Sequence, residues 1–176
     1  MGTLLFPDNT VLCNYAAVDR VALLTEFLSG NGRWTQAVHF EATSSARHLP
    51  ALNGILESGA MGEPIEVFEA DRIERIRLGW FGGSSDKPLE HLGEAETCYL
   101  IHNDSDFAGS TWITDDNAAY DFGTQQGILT WDTFDTVQHL VSSYTITPQE
   151  GFDLMKSMWT ADRTPRRMPN RWQDLQ

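Results

Sequence analysis

The sequence Ser110-Thr-Trp-Ile-Thr-Asp-Asp-Asn117 runs from a short apolar segment directly into two adjacent carboxylates and then into a predicted helix. Its Trp and Ile, flanked by threonines, have the aromatic and β-branched character of a buried strand. The Asp-Asp-Asn end supplies residue types that terminate a strand and cap a helix. Ligands of open α/β sheets bind at the carboxyl ends of strands. Asp115 and Asp116 are therefore either helix caps or ligands of a divalent metal, and this stretch alone leaves both interpretations open.

The composition predicts a single globular domain rather than a disordered or membrane-spanning chain. The 176 residues are 41% hydrophobic and include nine Phe and six Trp. No stretch approaches the ~18 consecutive apolar residues of a membrane span, and the N-terminus lacks the basic region and apolar core of a secretory signal. We therefore expect a soluble, cytoplasmic protein with no membrane partner.

The charge distribution limits the kind of nucleic-acid surface that the chain can present. A net charge of −13 argues against a broad, charge-driven contact. A nuclease is compatible with this charge, because carboxylates at a metal site are neutralised by the cations they bind. Four of the twelve basic residues lie in the last fourteen positions, namely Arg163, Arg166, Arg167 and Arg171. We expect a domain over residues 1–160 and a basic C-terminal tail over 161–176.

Short apolar runs alternate with helical patterns along the chain. The predicted strands cover residues 3–6, 36–40, 65–68, 111–114 and 128–131. The predicted helices cover residues 11–27 with a break near Asp19, 48–58, 71–80, 91–102 and 117–125, and two more begin at Asp132 and Thr147. This order predicts an α/β fold in which a mainly parallel central sheet lies between two helical layers, a three-layer α/β/α arrangement.

Acidic residues recur at the ends of the predicted strands. Asp8 follows the first predicted strand, Glu41 follows the second, and Asp115 follows the predicted strand at residues 111–114. Glu94 lies near the start of the predicted helix 91–102. Because the carboxyl ends of parallel strands share one edge of a sheet, we expect these carboxylates to lie close together.

These motifs together resemble a PIN domain over roughly residues 3–145. The resemblance rests on the order Asp8-Asn-Thr-Val-Leu, Phe-Glu41, Leu-Gly-Glu94-Ala-Glu and Ile-Thr-Asp115-Asp116 before an Ala-bearing helix. It implies a metal-dependent ribonuclease that is often the toxin of a bacterial toxin-antitoxin module. The implied partners are an RNA substrate and a cognate antitoxin protein, and a homodimer is a further expectation.

The chemistry of phosphodiester hydrolysis agrees with such a set of acids. The reaction needs an acidified water and a stabilised leaving oxygen, and carboxylate-bound Mg²⁺ or Mn²⁺ supplies both. Asp8, Glu94 and Asp115 are the expected primary ligands, and Glu41 is expected to position the water or a second metal. Asp116 either ligates the metal or only caps its helix. Crowded carboxylates repel one another, so the empty site should be partly protonated.

The choice between Glu94 and Glu96 follows from helical geometry. Residues two apart on a helix point about 200° away from each other, so only one can readily face the site. Glu94 follows Gly93, as in the Gly-Glu pattern of PIN domains, and it lies nearer the positive N-terminal end of the helix. We expect Glu94 to be the site acid and Glu96 to lie behind the site or on the surface.

A second basic feature lies on the predicted helix 71–80. Arg72, Arg75 and Arg77 follow one another at helical spacing around its polar side. Such a group is either a solvated helix face or a contact for nucleic acid or a partner protein, and both interpretations stay open.

Other functions are weighed against the nuclease. A haloacid-dehalogenase-like phosphatase needs a second Asp two residues after its nucleophile, whereas Asp8 is followed there by Thr10. The motif His39-x-Glu41 is similar to a zinc deaminase signature, but the chain has no Cys-x-x-Cys pair. A PIN-like scaffold that binds RNA or protein without cutting also remains possible, and a metal titration of cleavage would separate it from a nuclease.

Overall fold

A parallel sheet of three short strands forms the centre of the computed structural model, which describes residues 3–176. In sheet order the strands are β1 (Leu5–Pro7), β2 (Thr111–Ile113) and β3 (Leu129–Trp131). Thr111 of β2 stands opposite Leu5 on one side and Leu129 on the other. The predicted α/β class and the parallel sheet are therefore confirmed.

The described residues contain nine α-helices and two short 3₁₀ segments. The helices are α1 (Asn9–Ala17), α2 (Val21–Leu28), α3 (Gln36–Ser45), α4 (Asn53–Ser58), α5 (Ala70–Gly79), α6 (Leu92–Asn103), α7 (Asn117–Gln125), α8 (Thr133–Ser142) and α9 (Pro148–Thr160). The 3₁₀ segments are Pro50–Leu52 and Trp172–Leu175. The predicted break near Asp19 is confirmed, because the backbone there has a positive φ of 54° between α1 and α2.

The segment 36–40, predicted as a strand, is the first half of α3, so that prediction is wrong. The Thr35 side chain caps this helix by accepting a hydrogen bond from the Val38 amide at 3.4 Å. Ala37 and Val38 are buried while Phe40 is 55% exposed, a pattern of helical sides rather than of strand faces. A five-residue apolar run does not distinguish the two conformations. Glu41 consequently lies within a helix and not at a strand end.

The segment 65–68 is also not a strand. Ile65 forms an isolated parallel bridge with Thr35, in which its carbonyl accepts the Gln36 amide at 2.9 Å. Phe68 is 84% exposed, so it contributes little to the core. The β-branched and aromatic residues of this segment predicted a strand, but the segment forms only this single bridge and no ladder of backbone hydrogen bonds.

The sheet separates two apolar cores. Trp112 packs in a core with Phe6 and Phe122, whereas the next residue, Ile113, packs in a core with Leu12 and Val137. Neighbouring strand residues point to opposite faces, so each face of β2 contacts its own set of helices. The carboxyl ends of β1 and β2 remain at one edge, where α1 and α7 begin.

Arg77 of α5 and the basic C-terminal segment 161–176 both pack against the rest of the domain. Arg77 is 3% exposed, and its guanidinium donates to the carbonyls of Ser84 and Lys87, each at 3.0 Å, so it pins a loop instead of lining a solvated face. The segment 161–176 lies against the domain, with Leu175 fully buried in the core beside α9. No helix within residues 3–176 has both the length and the apolar character needed to cross a bilayer.

Candidate functional site

Asp8 is fixed at the carboxyl edge of the sheet by backbone and side-chain contacts. Its amide donates to the Ile113 carbonyl at 2.8 Å, which continues the pairing of β1 with β2. Its carboxylate caps α1 by accepting the Thr10 amide and hydroxyl, both at 3.0 Å. The Thr114 hydroxyl donates to the same carboxylate at 2.7 Å. Asp8 is 6% exposed, so its orientation is determined by protein contacts rather than by water.

Glu41 and Glu94 approach Asp8 from two helices that pack against each other. Glu41 lies on α3, and Glu94 lies in the first turn of α6. Gly93 makes this approach possible, because a Cβ at that position would lie 2.9 Å from Val38 Cγ2 and 3.2 Å from Glu41 Oε1. The Gly93 amide also donates a hydrogen bond to Glu41. We call Asp8, Glu41 and Glu94 the acidic cluster.

The acidic cluster carries negative charge that the protein does not neutralise. Burial, and then the charge of Glu94, raise the pKa of Asp8 to about 6. Burial, followed by the charges of Glu94 and Asp8, raises the pKa of Glu41 to about 8. Within residues 3–176, no Lys or Arg forms an ion pair with these three acids, although His91 Nδ1 lies 3.3 Å from Glu94 Oε1. The cluster therefore favours protonation or a cation from solution.

Asp115 ends β2 but has a different environment. Its carboxylate accepts hydrogen bonds from Asn14 Nδ2 at 2.6 Å, from the Thr133 amide at 3.1 Å and from the Arg166 amide at 3.0 Å. The Thr133 hydroxyl is a fourth donor. Burial raises the pKa of Asp115, and the hydrogen bonds from Thr133 and Arg166 oppose that shift. Both carboxylate oxygens of Asp115 thus accept hydrogen bonds from the protein, and Asp115 is not part of the acidic cluster.

Asp116 and Glu96 both act on helix starts. Asp116 accepts the Ala119 amide at 2.8 Å and caps α7, which is the cap interpretation of its position. Glu96 is 9% exposed, and its carboxylate accepts the Ala37 amide near the start of α3 at 3.2 Å. This burial excludes a surface position for Glu96, which was one of the two positions expected from the sequence. Its contact also holds α3 against α6, where Glu41 is presented.

Several residues of this edge have no signature in the sequence. Asn14 and Thr114 orient Asp115 and Asp8, yet they are 101 and 106 positions away from the carboxylates they contact. Arg167 reaches Asp132 with two nitrogens, Nε at 2.5 Å and Nη2 at 2.9 Å. Only the helix-start pattern around Asp132 was visible from sequence, because local caps leave a local pattern and long-range donors do not.

A groove of about 550 Å³ opens beside Glu41. Its walls combine amide and hydroxyl side chains with exposed apolar ones, namely Asn9, Gln36, Ser44, Ser45, Phe40 and Leu89. Such mixed clefts are the usual form of small-molecule and substrate sites. Glu41 is the member of the acidic cluster that lines this groove, which is large enough for part of a substrate.

The donor chemistry of the acidic cluster suits a hard divalent cation, since carboxylate oxygens are the ligands that Mg²⁺ and Mn²⁺ prefer. The raised pKa values of Asp8 and Glu41 are the shifts that a bound cation would reverse. As folded, residues 3–176 contain no group of three or more Asp, Glu, His or Cys side chains close enough together to hold one metal ion. The acidic cluster therefore matches a divalent cation in the type of its ligand atoms and in its charge, but its side chains are not arranged around a single ion position.

Comparisons with known proteins do not assign the chain to a family. No family model matches it, and neither a curated protein nor a solved structure matches it significantly.

Proposed function

We propose that this protein is a metal-dependent ribonuclease that hydrolyses RNA phosphodiester bonds at the acidic cluster. One observation carries the proposal: Asp8, which follows β1, lies near Glu41 of α3 and Glu94 of α6 at the carboxyl edge of a parallel sheet, and no Lys or Arg within residues 3–176 forms an ion pair with these acids. Crowding buried carboxylates costs stability, and strongly perturbed acids in a cleft are typical of functional sites. A purely structural edge has no need for this arrangement.

The proposed architecture is a three-layer, PIN-like α/β/α domain. The alternation of Trp112 and Ile113 between two cores supports helical layers on both faces of the sheet. The positions of Asp8 after β1 and of Glu94 at the start of α6 support the order of acids on which the resemblance rests. The wrong strand prediction for 36–40 leaves this support intact, because Glu41 reaches the cluster from α3.

Asp8 and Glu94 would hold Mg²⁺ or Mn²⁺, with Glu41 beside them. The bound ion supplies an acidified water and charge stabilisation for the leaving oxygen. Thr10 and Thr114 hold the Asp8 carboxylate in one orientation. A bound cation would lower the raised pKa of Glu41, so that its ionised carboxylate could accept a proton from the attacking water.

Asp115 and Asp116 have supporting roles in this proposal rather than the ligand roles expected from sequence. Asp115 ties α1, α8 and the C-terminal segment to the end of β2 through Asn14, Thr133 and Arg166. Asp116 starts α7. Both acids therefore help to hold the sheet edge that presents Asp8.

The test is Asp8→Asn, with Asp116→Asn as a matched control that keeps a capping side chain at its position. We expect Asp8→Asn to lower the rate of cleavage of a labelled single-stranded RNA by at least about 100-fold, which corresponds to ~2.7 kcal/mol of transition-state stabilisation. It should also weaken Mn²⁺ binding measured by calorimetry. Asp116→Asn should retain both activities.

Cleavage that persists in a chelator, or an Asp8→Asn protein with full activity, would refute the proposal. RNA binding in the chelator without any cleavage in Mg²⁺ or Mn²⁺ would favour the non-catalytic scaffold. The toxin role and a cognate antitoxin are included through the resemblance to PIN domains, and the same pair of variants tests them. Expression of the native chain should slow bacterial growth, whereas expression of Asp8→Asn should not.

A further inference from the structure

We propose that Arg163 binds a backbone phosphate of the RNA strand next to the acidic cluster. This inference rests on the proposed ribonuclease function and adds a residue that positions the substrate. It follows from where Arg163 is held, from its lack of an acidic partner, and from the net negative charge of the chain.

Arg163 is fixed at the same sheet edge as Asp8 by a relay of two hydrogen bonds. Its Nε donates to Asn14 Oδ1 at 3.1 Å, and Asn14 Nδ2 donates to Asp115 at 2.6 Å. Asp115 follows β2 and Asp8 follows β1, the neighbouring parallel strand. The bond at Nε restrains the half-buried Arg163 side chain while leaving its two terminal nitrogens for another partner.

Arg163 differs from the other arginines of the C-terminal segment in its charge partners. Arg166 and Arg167 both pair with Asp132, and Arg171 pairs with Asp174. Within residues 3–176, Arg163 lies within 4 Å of no carboxylate, and its terminal nitrogens form no hydrogen bond. It is therefore a positioned cation whose charge the described protein leaves uncompensated.

The buried thiol of Cys13 shows that Arg163 and the acidic cluster act on the same region. Burial is the main reason that the pKa of Cys13 is raised. Among nearby charges, Arg163 lowers this pKa, whereas Asp8 and Glu41 raise it. A side chain on α1 thus lies within electrostatic range of both Arg163 and the acidic cluster.

The chemistry of an arginine at this place favours a phosphate ligand. The planar guanidinium presents paired N–H donors that match two phosphate oxygens. A chain with a net charge of −13 repels RNA overall, so a local cation beside the cleavage site has a large influence on where the strand lies. A single uncompensated arginine predicts contact with about one phosphate rather than with an extended duplex.

The experiment measures RNA affinity as well as cleavage, and it compares Arg163→Gln with Arg75→Gln. Arg75 is a matched control because its Nε donates to the Asp71 carbonyl at 3.1 Å, and it forms no ion pair within residues 3–176. Binding of a labelled single-stranded RNA is followed by fluorescence anisotropy in a chelator, where the proposed cleavage is off. Salt is varied so that the number of phosphate contacts is measured directly.

We expect Arg163→Gln to weaken RNA binding about 10-fold at low salt and to reduce the slope of log Kd against log salt by about 0.7 to 1. In the metal-loaded enzyme, KM should rise about 10-fold with little change in kcat. Arg163→Lys keeps the charge but loses the bond to Asn14, so it should retain most of the salt slope. Arg75→Gln should match the native protein in all of these measurements.

Each failure has a distinct meaning. Native cleavage together with an unchanged Kd and salt slope in Arg163→Gln would overturn the role of Arg163 and leave the ribonuclease function intact. Equal losses in Arg163→Lys and Arg163→Gln would show a structural role through Asn14, and an equal loss in Arg75→Gln would show a nonspecific charge effect; both results overturn the inference. If RNA binding depended on Arg163 but no cation supported cleavage, the proposed ribonuclease function would be refuted while the phosphate contact of Arg163 would be supported.

Discussion

The acidic cluster and the pair formed by Asp115 and Asp132 lie at the same end of the molecule but are stabilised in opposite ways. All of these acids are buried or half-buried, but they differ in the charges that surround them. Asp132 is fully buried, caps α8 and receives a two-nitrogen contact from Arg167. Asp115 receives four donors. Glu41 instead faces Glu94 and Asp8.

This difference separates acids that hold the fold from acids that are available for chemistry. A buried carboxylate whose lone pairs are occupied by N–H and O–H groups contributes to stability and has no capacity left for a ligand. A buried carboxylate beside other carboxylates lowers stability until a proton or a cation arrives. Burial alone therefore does not identify a site, whereas burial beside other carboxylates, without a Lys or Arg to pair them, does.

Asp115→Asn should produce the largest change in stability. The amide nitrogen would replace one acceptor and face donors from Asn14 and Thr133, so we expect the free energy of unfolding to fall by about 2 kcal/mol. Urea denaturation at neutral pH measures this loss. A variant as stable as the native protein, or more stable, would mean that Asp115 belongs with the repelling acids of the cluster.

Glu41→Gln should have the opposite sign and depend on pH. The pKa of Glu41 is raised from 4.5 to about 8, so the folded state holds a proton that the unfolded state releases, and native stability falls as pH rises from about 4.5 to about 8. Gln removes this dependence. In a chelator at pH 8.5, its Tm should exceed the native value by a few degrees, and at pH 4 the two should agree.

The exposed Glu57 of α4 offers a matched control for this measurement. Between pH 4 and pH 8.5, the Tm of Glu57→Gln should change by the same amount as the Tm of the native protein. Addition of Mn²⁺ at pH 8.5 should raise the Tm of the native protein more than that of Glu41→Gln. Equal pH profiles for the native protein and Glu41→Gln would contradict the electrostatic description of the cluster.

The smallest effects should distinguish the two glutamates of α6. Glu94→Gln should weaken Mn²⁺ binding and slow RNA cleavage with little loss of stability. Glu96→Ala should lower the free energy of unfolding by about 1 kcal/mol, because the Ala37 amide loses its acceptor, while Glu96→Gln keeps an acceptor oxygen and should be nearly neutral. Loss of metal binding in Glu96→Gln alone would reverse the assignment.

Features that depend on neighbours along the chain were predictable from the amino-acid pattern. The apolar run before Asp115 predicted β2, and the start of α8 at Asp132 and of α9 at Thr147 followed from capping residues whose contacts reach three positions ahead. Asp8 was identified in the same way, because its carboxylate bonds Thr10. Local hydrogen bonds leave a local pattern, so a single sequence is enough to recognise them.

Segment 36–40 marks the limit of that reasoning. Its apolar residues satisfy a strand or a helix equally well, and the choice was made by Thr35 at the helix start and by Glu96, which accepts the Ala37 amide from α6. Glu41 still reaches the acidic cluster, because Gly93 lets α6 approach α3. The residue was therefore found with the wrong secondary structure around it.

Which carboxylates receive hydrogen bonds from residues distant in the sequence depends on tertiary packing. The donors of Asp115 come from Asn14, Thr133 and Arg166, which are separated from it by 101, 18 and 51 positions. Residues so far apart meet only after both cores have packed, and no spacing in the chain encodes the meeting. The sequence could thus place carboxylates at one sheet edge, but the balance of donors and charges that separates a ligand from a structural acid arises from packing.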